Sequence, residues 1–277
     1  MLRQVIDFLN IYEGGVYVDA TVGGGGHSSE ILKHIGTHGR VIATDRDEEA
    51  LKVASQRLMD KRCSLRKARF SELEDVLGDI LADGILFDFG LSMLQIKGSG
   101  RGFSFLKDEP LDMRMDRAQS LKAEDIVNSY PERDIERILR EYGEERFSSR
   151  IARRILLKRP IRSTMELSKI IEEVFHGRGR IHPATRTFQA LRIAVNNELN
   201  EIQDGLHASL KILKRQGRLV AISYHSLEDR LVKNFMRTAK EQGTLSVLTK
   251  KPVTPDETEQ RANPSARSAK LRAGERV

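Results

Sequence analysis

Cysteine is almost absent: Cys63 is the one thiol in 277 residues. A single cysteine excludes an internal disulfide framework and any cysteine-based zinc cluster, and it suits a reducing compartment. Cys63 itself reads as a core residue rather than a reactive one, and no metal site is expected. Also missing are an apolar run long enough to span a bilayer and a basic–apolar–small leader, so neither membrane insertion nor export is expected and the cytoplasm is the expected location. What is present is enough for a sizeable core. Hydrophobic residues make up 39% of the chain, which at this length predicts one large domain or a domain with an insert. Lys and Arg number 47 against 40 Asp and Glu, a net charge of +7. That excess points to a polyanionic partner, although basic charge also forms ordinary solvated faces.

The chain is organised around Val16 to His27, V-Y-V-D-A-T-V-G-G-G-G-H. Val16, Tyr17 and Val18 predict a buried strand that ends in Asp19, and the glycine run leads into a helix from about Ser28 to His34. Glycine lets the backbone turn at positive φ and approach a ligand closely, while the following helix offers unpaired N–H groups. This pattern predicts a cofactor loop, with an ordinary strand-to-helix turn as the alternative. A dinucleotide fingerprint would read G-x-G-x-x-G directly after the strand, aimed at a pyrophosphate. Here Asp19 precedes the glycines and no third glycine has the required offset. An acid at that point suits the cationic amino group or sulfonium of S-adenosylmethionine better than a pyrophosphate. Asp45, ending R-V-I-A-T-D about twenty residues on, fits the ribose hydroxyls of either cofactor.

Alternating elements extend the pattern. An amphipathic helix over Met1–Asn10 carries Val5, Ile6 and Leu9 at helical spacing. Strands are predicted at 40–44, 64–68, within D-G-I-L-F-D-F-G, and within R-L-V-A-I-S-Y, with helices at 48–59 and 227–238 and two final strands in the tail. Continuous apolar runs such as Ile85, Leu86 and Phe87 suit parallel strands covered on both faces. The expected architecture is an α/β doubly wound sheet whose ligands sit at the carboxyl ends of its strands. Asp19, Asp45, Phe70 and Asp88 all fall at such ends. The fifth strand delivers Tyr224, His225 and Ser226 to the same edge.

After Gly98 the pattern stops. G-S-G-R-G-F-S-F-L-K-D-E-P-L-D-M-R-M-D has no period and mixes Phe with Arg, which predicts an ordered functional loop able to meet a nucleotide. Three charged helices follow: one opened by Pro131 and closed by Gly143, one over 145–158, and one capped by Ser163 with Glu166. They predict a helical insert between strands four and five. It holds Arg150, Arg153, Arg154, Lys158, Arg159 and Arg162, then H-G-R-G-R-I-H-P-A-T-R. Such a cluster suits nucleic acid, although several of its arginines have Glu144, Glu145 and Glu166 as ready partners.

With these segments placed, the chain resembles the bacterial ribosomal RNA small-subunit methyltransferase H family. The shared motifs run nearly end to end: T-V-G-G-G-G-H, D-R-D, D-G-I-L-F-D-F-G, R-G-F-S-F, P-L-D-M-R-M-D, Y-G-E-E-R-F, I-A-R-R-I, H-P-A-T-R-T-F-Q-A-L-R-I, Y-H-S-L-E-D-R and A-R-S-A-K-L-R. The resemblance implies a Rossmann-like class I methyltransferase fold over 1–105 and 188–277, with an inserted helical domain at 106–187 for RNA recognition. It implies S-adenosyl-L-methionine as cofactor, met by Gly25, Gly26, His27, Asp45, Phe70, Asp88 and Gln95. The implied reaction is methyl transfer to the N4 amine of a cytidine in small-subunit ribosomal RNA, near the decoding region. The implied partner is that RNA or the assembled small subunit, with the oligomeric state open, a homodimer included. Two departures stand out. Family members usually begin with a His-x-Pro-Val segment that this sequence lacks, and around Gln95 the chain reads S-M-L-Q-I-K, with Met93 and Lys97 where the family tends to have a serine and an acid.

An exocyclic cytosine amine is a weak nucleophile, so the enzyme must position it and accept its proton. The Pro-Pro-aromatic element common in DNA amino-methyltransferases is replaced here by Asp88-Phe89-Gly90-Leu91. Asp88 or a neighbouring carbonyl is therefore the first candidate acceptor, with Asp112 and His225 next, and Phe103 or Phe105 could stack on an extruded base. For Asp112 the competing role is a partner for Arg114 or Arg101; for His225 it is a buried, hydrogen-bonded ring. A non-catalytic ribosome-binding factor and, further off, an NAD-dependent dehydrogenase are the alternative functions.

Overall fold

The computed structural model describes residues 1–277 apart from 93, 94, 96–99 and 176–180. The chain forms two compact units, residues 1–92 with 199–277, and residues 93–198.

The first unit opens with helix α1 (Leu2–Leu9), then alternates β1 (Val16–Asp19), α2 (Gly26–His34), β2 (Arg40–Asp45), α3 (Glu48–Arg57), β3 (Cys63–Lys67), α4 (Leu73–Leu77) and β4 (Ala82–Asp88). Its sheet has seven strands in the order β3-β2-β1-β4, then β5 (Leu213–Ser223), β7 (Lys270–Arg276) and β6 (Leu245–Val247). The first five run parallel, while β7 pairs antiparallel with both β5 and β6. The strand order reverses between β1 and β4, which is where an open α/β sheet leaves a crevice at its carboxyl edge.

Alternation along the strands explains the two-faced core. Val18, Ile85, Phe87, Leu219 and Ala221 pack with Ile202, Leu206, Val232 and Met236 from the later helices. The intervening residues Tyr17, Val41, Ala43, Leu86 and Val220 pack with Val5, Leu9, Ile31 and Ile35. Gly84 allows a close approach: a Cβ there would lie 2.9 Å from the Tyr17 ring and 3.0 Å from Leu9. Cys63 is half-buried, and its thiol is pushed up to about 11 by burial first and then by the charges of Asp19 and Asp60, which suits an unreactive residue.

β5 begins earlier than its apolar run predicts. Leu213 already pairs with Ala82, and the register then shifts so that Gly84 faces Arg218, with Gln216 at φ 67 taking up the extra length. The apolar run sees only the part of the strand covered on both faces.

The second unit contains α5 (Ala123–Ser129), α6 (Glu132–Gly143), α7 (Ser148–Lys158), α8 (Thr164–Glu172) and α9 (Ala184–Asn196). α6 closes as its glycine predicts, one residue before Glu144 at φ 47. Ser163 Oγ accepts from Glu166 N, but Glu166 reaches past the cap to take Arg162 N at 2.7 Å, so the reciprocal capping box is not completed. α9 and α10 (Glu198–Ile212) are separate helices, broken by Asn197 in the left-handed conformation.

The irregular segment from residue 100 is ordered by hydrogen bonds inside this unit. Arg101 is buried and donates to the carbonyls of Arg114 and Met115, and Asn196 Nδ2 and Oδ1 join Met113 O and Met115 N at 2.7 and 2.8 Å. These bonds tie the loop and α9 into one unit, residues 93–198.

Candidate functional site

β1 ends in Asp19, and the chain then turns through a loop whose backbone is pinned to neighbouring strands. Ala20 N donates to Leu86 O and Val22 N to Thr44 O, both at 2.9 Å. Gly25 caps α2 at φ 78, a conformation that favours glycine, and a Cβ there would also press on Leu58 at 3.1 Å. A Cβ at Gly24 would meet nothing within 4 Å, so the loop presents open backbone there. Gly25 offers no side-chain cap, which leaves the N-terminal amides of α2 for another acceptor.

Asp19 lies deeper than a direct ligand contact requires. It is fully buried, with Oδ2 accepting from Ser28 Oγ at 2.6 Å and Oδ1 from Thr21 N at 3.2 Å. Burial raises its pKa against the opposing pull of His27 and these hydrogen bonds. It joins the strand end to the start of α2, shaping the loop from behind.

Asp45 closes β2 from the other side of the same loop. Its Oδ2 accepts from Gly23 N at 3.0 Å and Oδ1 from Asp47 N at 2.9 Å. Each oxygen retains a lone pair. Burial pushes this carboxyl up to about 6, the amides of Asp47 and Gly23 pull it down, and the charges of Asp47 and Asp19 push it up again.

The end of β4 carries the densest polar cluster. Asp88 N donates to Thr21 Oγ1 at 2.7 Å, the Tyr224 hydroxyl donates to Asp88 Oδ1 at 2.9 Å, and His27 Nε2 stands 3.5 Å from Oδ2. Burial opposes a charge on His27, but the hydrogen bond and charge of Asp88, aided by Asp19, raise its pKa overall. His27 Nδ1 is buried with no hydrogen-bond partner among the described residues. Phe70 follows β3 in a short 3₁₀ turn, edge-on to Phe87 and Phe89 at 5.3 and 5.7 Å.

Asp19, Gly25, Gly26, His27, Asp45, Phe70 and Asp88 thus share the carboxyl edge of one sheet. Gln95 belongs to the second unit, where it is buried, and the neighbouring departures Met93 and Lys97 lie outside the described residues. Thr21, Ser28 and Tyr224 are the site residues to which sequence reasoning assigned no role. Tyr224 had the same signal as the acids, since it lies at the carboxyl end of β5.

The other candidates have structural partners. Asp112 receives Arg114 Nε and Nη2 at 2.7 and 2.9 Å; burial alone would raise its pKa, but this guanidinium lowers it overall. His225 caps α11 (Ser226–Glu241), its Nδ1 accepting from Glu228 N, with Nε2 3.0 Å from Glu228 Oε1. Phe103 is buried beside the Arg101 guanidinium, and Phe105 already stacks on His182 at 4.4 Å. Of the basic cluster, Arg159 bonds the carbonyls of Val127 and Tyr130, while Arg154 and Lys158 face Glu173. Arg150 and Arg153 are exposed, and His176 to Arg180 lie outside the described residues.

Comparison with known proteins is consistent end to end. The MraW methylase family matches residues 1–277. Ribosomal RNA small subunit methyltransferase H of Sulfurihydrogenibium sp. (strain YO3AOP1) is 49% identical, covering 99% of this chain and 97% of that protein. The proteins of the same name from Acidobacterium capsulatum and Persephonella marina are 46% and 45% identical, covering 100% and 99% of this chain and 97% of each relative. A candidate rRNA-methylase from Clostridium thermocellum shares the fold at TM-score 0.51 and 15% identity, covering 100% of this chain and 97% of that one. The architecture is the Rossmann-like one of class I methyltransferases. With a match over its whole length and relatives near half identical, this chain belongs to the MraW methylase family.

Proposed function

We propose that this protein transfers a methyl group from S-adenosyl-L-methionine to the N4 amine of a cytidine in small-subunit ribosomal RNA, near the decoding region. The names of its relatives support the RNA class, and the net charge of +7 suits a polyanion. The observation that carries the amine reading is Asp88. It is an acid at the crevice beside the strand-order reversal, engaged by one hydroxyl and close to one imidazole, with lone pairs left for an N–H donor.

The residues at the edge fit the cofactor. Asp45 keeps a lone pair on each oxygen for the ribose hydroxyls, Gly24 leaves the backbone open to close approach, and the orphaned His27 Nδ1 lies beside the same loop. Phe70 offers an aromatic surface after β3. When bound, the cofactor supplies an electrophilic methyl group on a sulfonium. Asp88 holds the target amine by accepting its N–H and takes up the proton as the nitrogen gains its methyl carbon. Asp112 is a weaker choice because Arg114 occupies both its oxygens, and His225 because its Nδ1 is spent on a helix cap. The second unit, with Arg150 and Arg153 exposed, serves RNA recognition.

The deciding experiment is transfer of labelled methyl to isolated small subunits and to protein-free small-subunit RNA, followed by nucleoside analysis. N4-methylcytidine is the expected product. RNA binding without transfer would instead favour a non-catalytic ribosome-binding factor.

A further inference from the structure

Tyr224 and Asp88 meet because β4 and β5 are paired in register. Asp88 lies opposite Ile222, and two residues further on the Tyr224 hydroxyl reaches Asp88 Oδ1 at 2.9 Å. The tyrosine is held at both ends. Its backbone N–H donates to Glu228 Oε2 at 2.7 Å, and its ring lies against Gly90, where a Cβ would come within 2.9 Å of both Cδ2 and Cε2. Glu228 is itself buried. So clamped, the ring leaves its hydroxyl little freedom except to point at the carboxylate. We propose that Tyr224 is a positioning residue for methyl transfer, its hydroxyl fixing the Asp88 carboxylate so that the remaining lone pairs turn to the substrate amine.

This rests on Asp88 being the acceptor, as read above. The groups facing Asp88 are His27 from α2, Tyr224 from the end of β5 and Asp19 from β1; Glu228 of α11 faces Tyr224. Burial and the Asp88 charge both raise the pKa of Tyr224, so it remains an O–H donor throughout the working range. The donated hydrogen bond fixes the rotation of the Asp88 carboxylate, and removing it frees that rotation.

Tyr224→Phe tests the proposal, since it keeps the ring on Gly90 and removes only the hydroxyl. The expected result is a kcat about tenfold lower, with the KM for S-adenosyl-L-methionine within about twofold of wild type. Melting temperature should be unchanged, and calorimetric affinity for S-adenosylhomocysteine should stay within about twofold. Gly90→Ala, which pushes the ring aside but retains the hydroxyl, should lower kcat in the same way. In an Asp88→Asn background Tyr224→Phe should cause no further loss. A wild-type kcat in both single variants, or equal losses with and without Asp88, would make Tyr224 merely structural. If Asp88→Asn itself has normal kcat, the acceptor reading fails first; if it is impaired and Tyr224→Phe is not, only this inference fails.

Discussion

Asp45 shows how a half-buried acid can make ligand binding depend on pH. Burial pushes its carboxyl up to about 6, well above an ordinary aspartate. The sign follows: the folded protein holds this proton more tightly than the unfolded chain, so the stabilisation is present below about pH 4 and is lost as pH rises through about 6. At neutral pH the ionised group costs the free protein about 3 kcal/mol, which hydroxyl donors from a ligand would offset. Affinity for S-adenosyl-L-methionine should therefore fall about tenfold between pH 7 and pH 5. Calorimetry at both pH values checks this, and a flat profile would contradict it. Asp45→Asn should flatten the profile and weaken binding at pH 7 by roughly 1.5–3 kcal/mol. Asp88→Asn is a different kind of change, because it keeps size and a carbonyl acceptor but removes the charge. Single-turnover methylation at saturating cofactor should slow roughly 100-fold. Near-normal turnover would redirect the search to Asp112 and His225.

At the scale of elements, the close approach of α10 to the sheet matters most. Gly205 lets the helix lie against Phe70: a Cβ would stand 2.6 Å from Phe70 Cβ and 3.2 Å from Phe87 Cε1. Alanine normally favours a helix by about 1 kcal/mol over glycine. Here overpacking should outweigh that gain, and Gly205→Ala should destabilise the protein by about 1–3 kcal/mol. Because the displaced neighbour is Phe70, cofactor affinity should drop as well. Urea unfolding and calorimetry together test this, and a more stable variant with unchanged affinity would show that the helix shifts without moving the ring.

At the scale of the molecule, positive charge divides into charge that holds the fold and charge left for a partner. Arg159 sends Nε and Nη2 to the carbonyls of Val127 and Tyr130, whereas Arg150 and Arg153 are exposed. Among the described residues Arg153 meets a marginal carboxylate at 4.0 Å, Glu132. Arg159→Gln should cost about 1–3 kcal/mol of stability. The double variant Arg150→Gln, Arg153→Gln should melt normally and bind cofactor normally, yet bind RNA less tightly, with the salt slope reduced by about 0.7 for each phosphate that is no longer neutralised. Filter binding across a salt series reads this directly. Identical binding at every salt concentration would make this helix scaffolding.

Local pattern was enough to locate the strands, the glycine loop and the acids at strand ends. A parallel strand covered on both faces must be an apolar run, and the residue after that run must lie at the carboxyl edge. Asp19 and Asp88 follow from that rule, and Asp45 and Tyr224 come one residue further on; Phe70 instead lies three residues after β3, an edge strand without an apolar run. What those side chains do there depended on neighbours far away in sequence. Asp19 turned inward to Ser28, and the Tyr224 hydroxyl found a carboxylate 136 residues away. Strand order and register decide such pairs, and periodicity carries no record of which strands become neighbours. The same limit explains why β7 lies between β5 and β6, why α9 groups with the loop before it, and why Arg159 is spent on carbonyls rather than left for a ligand.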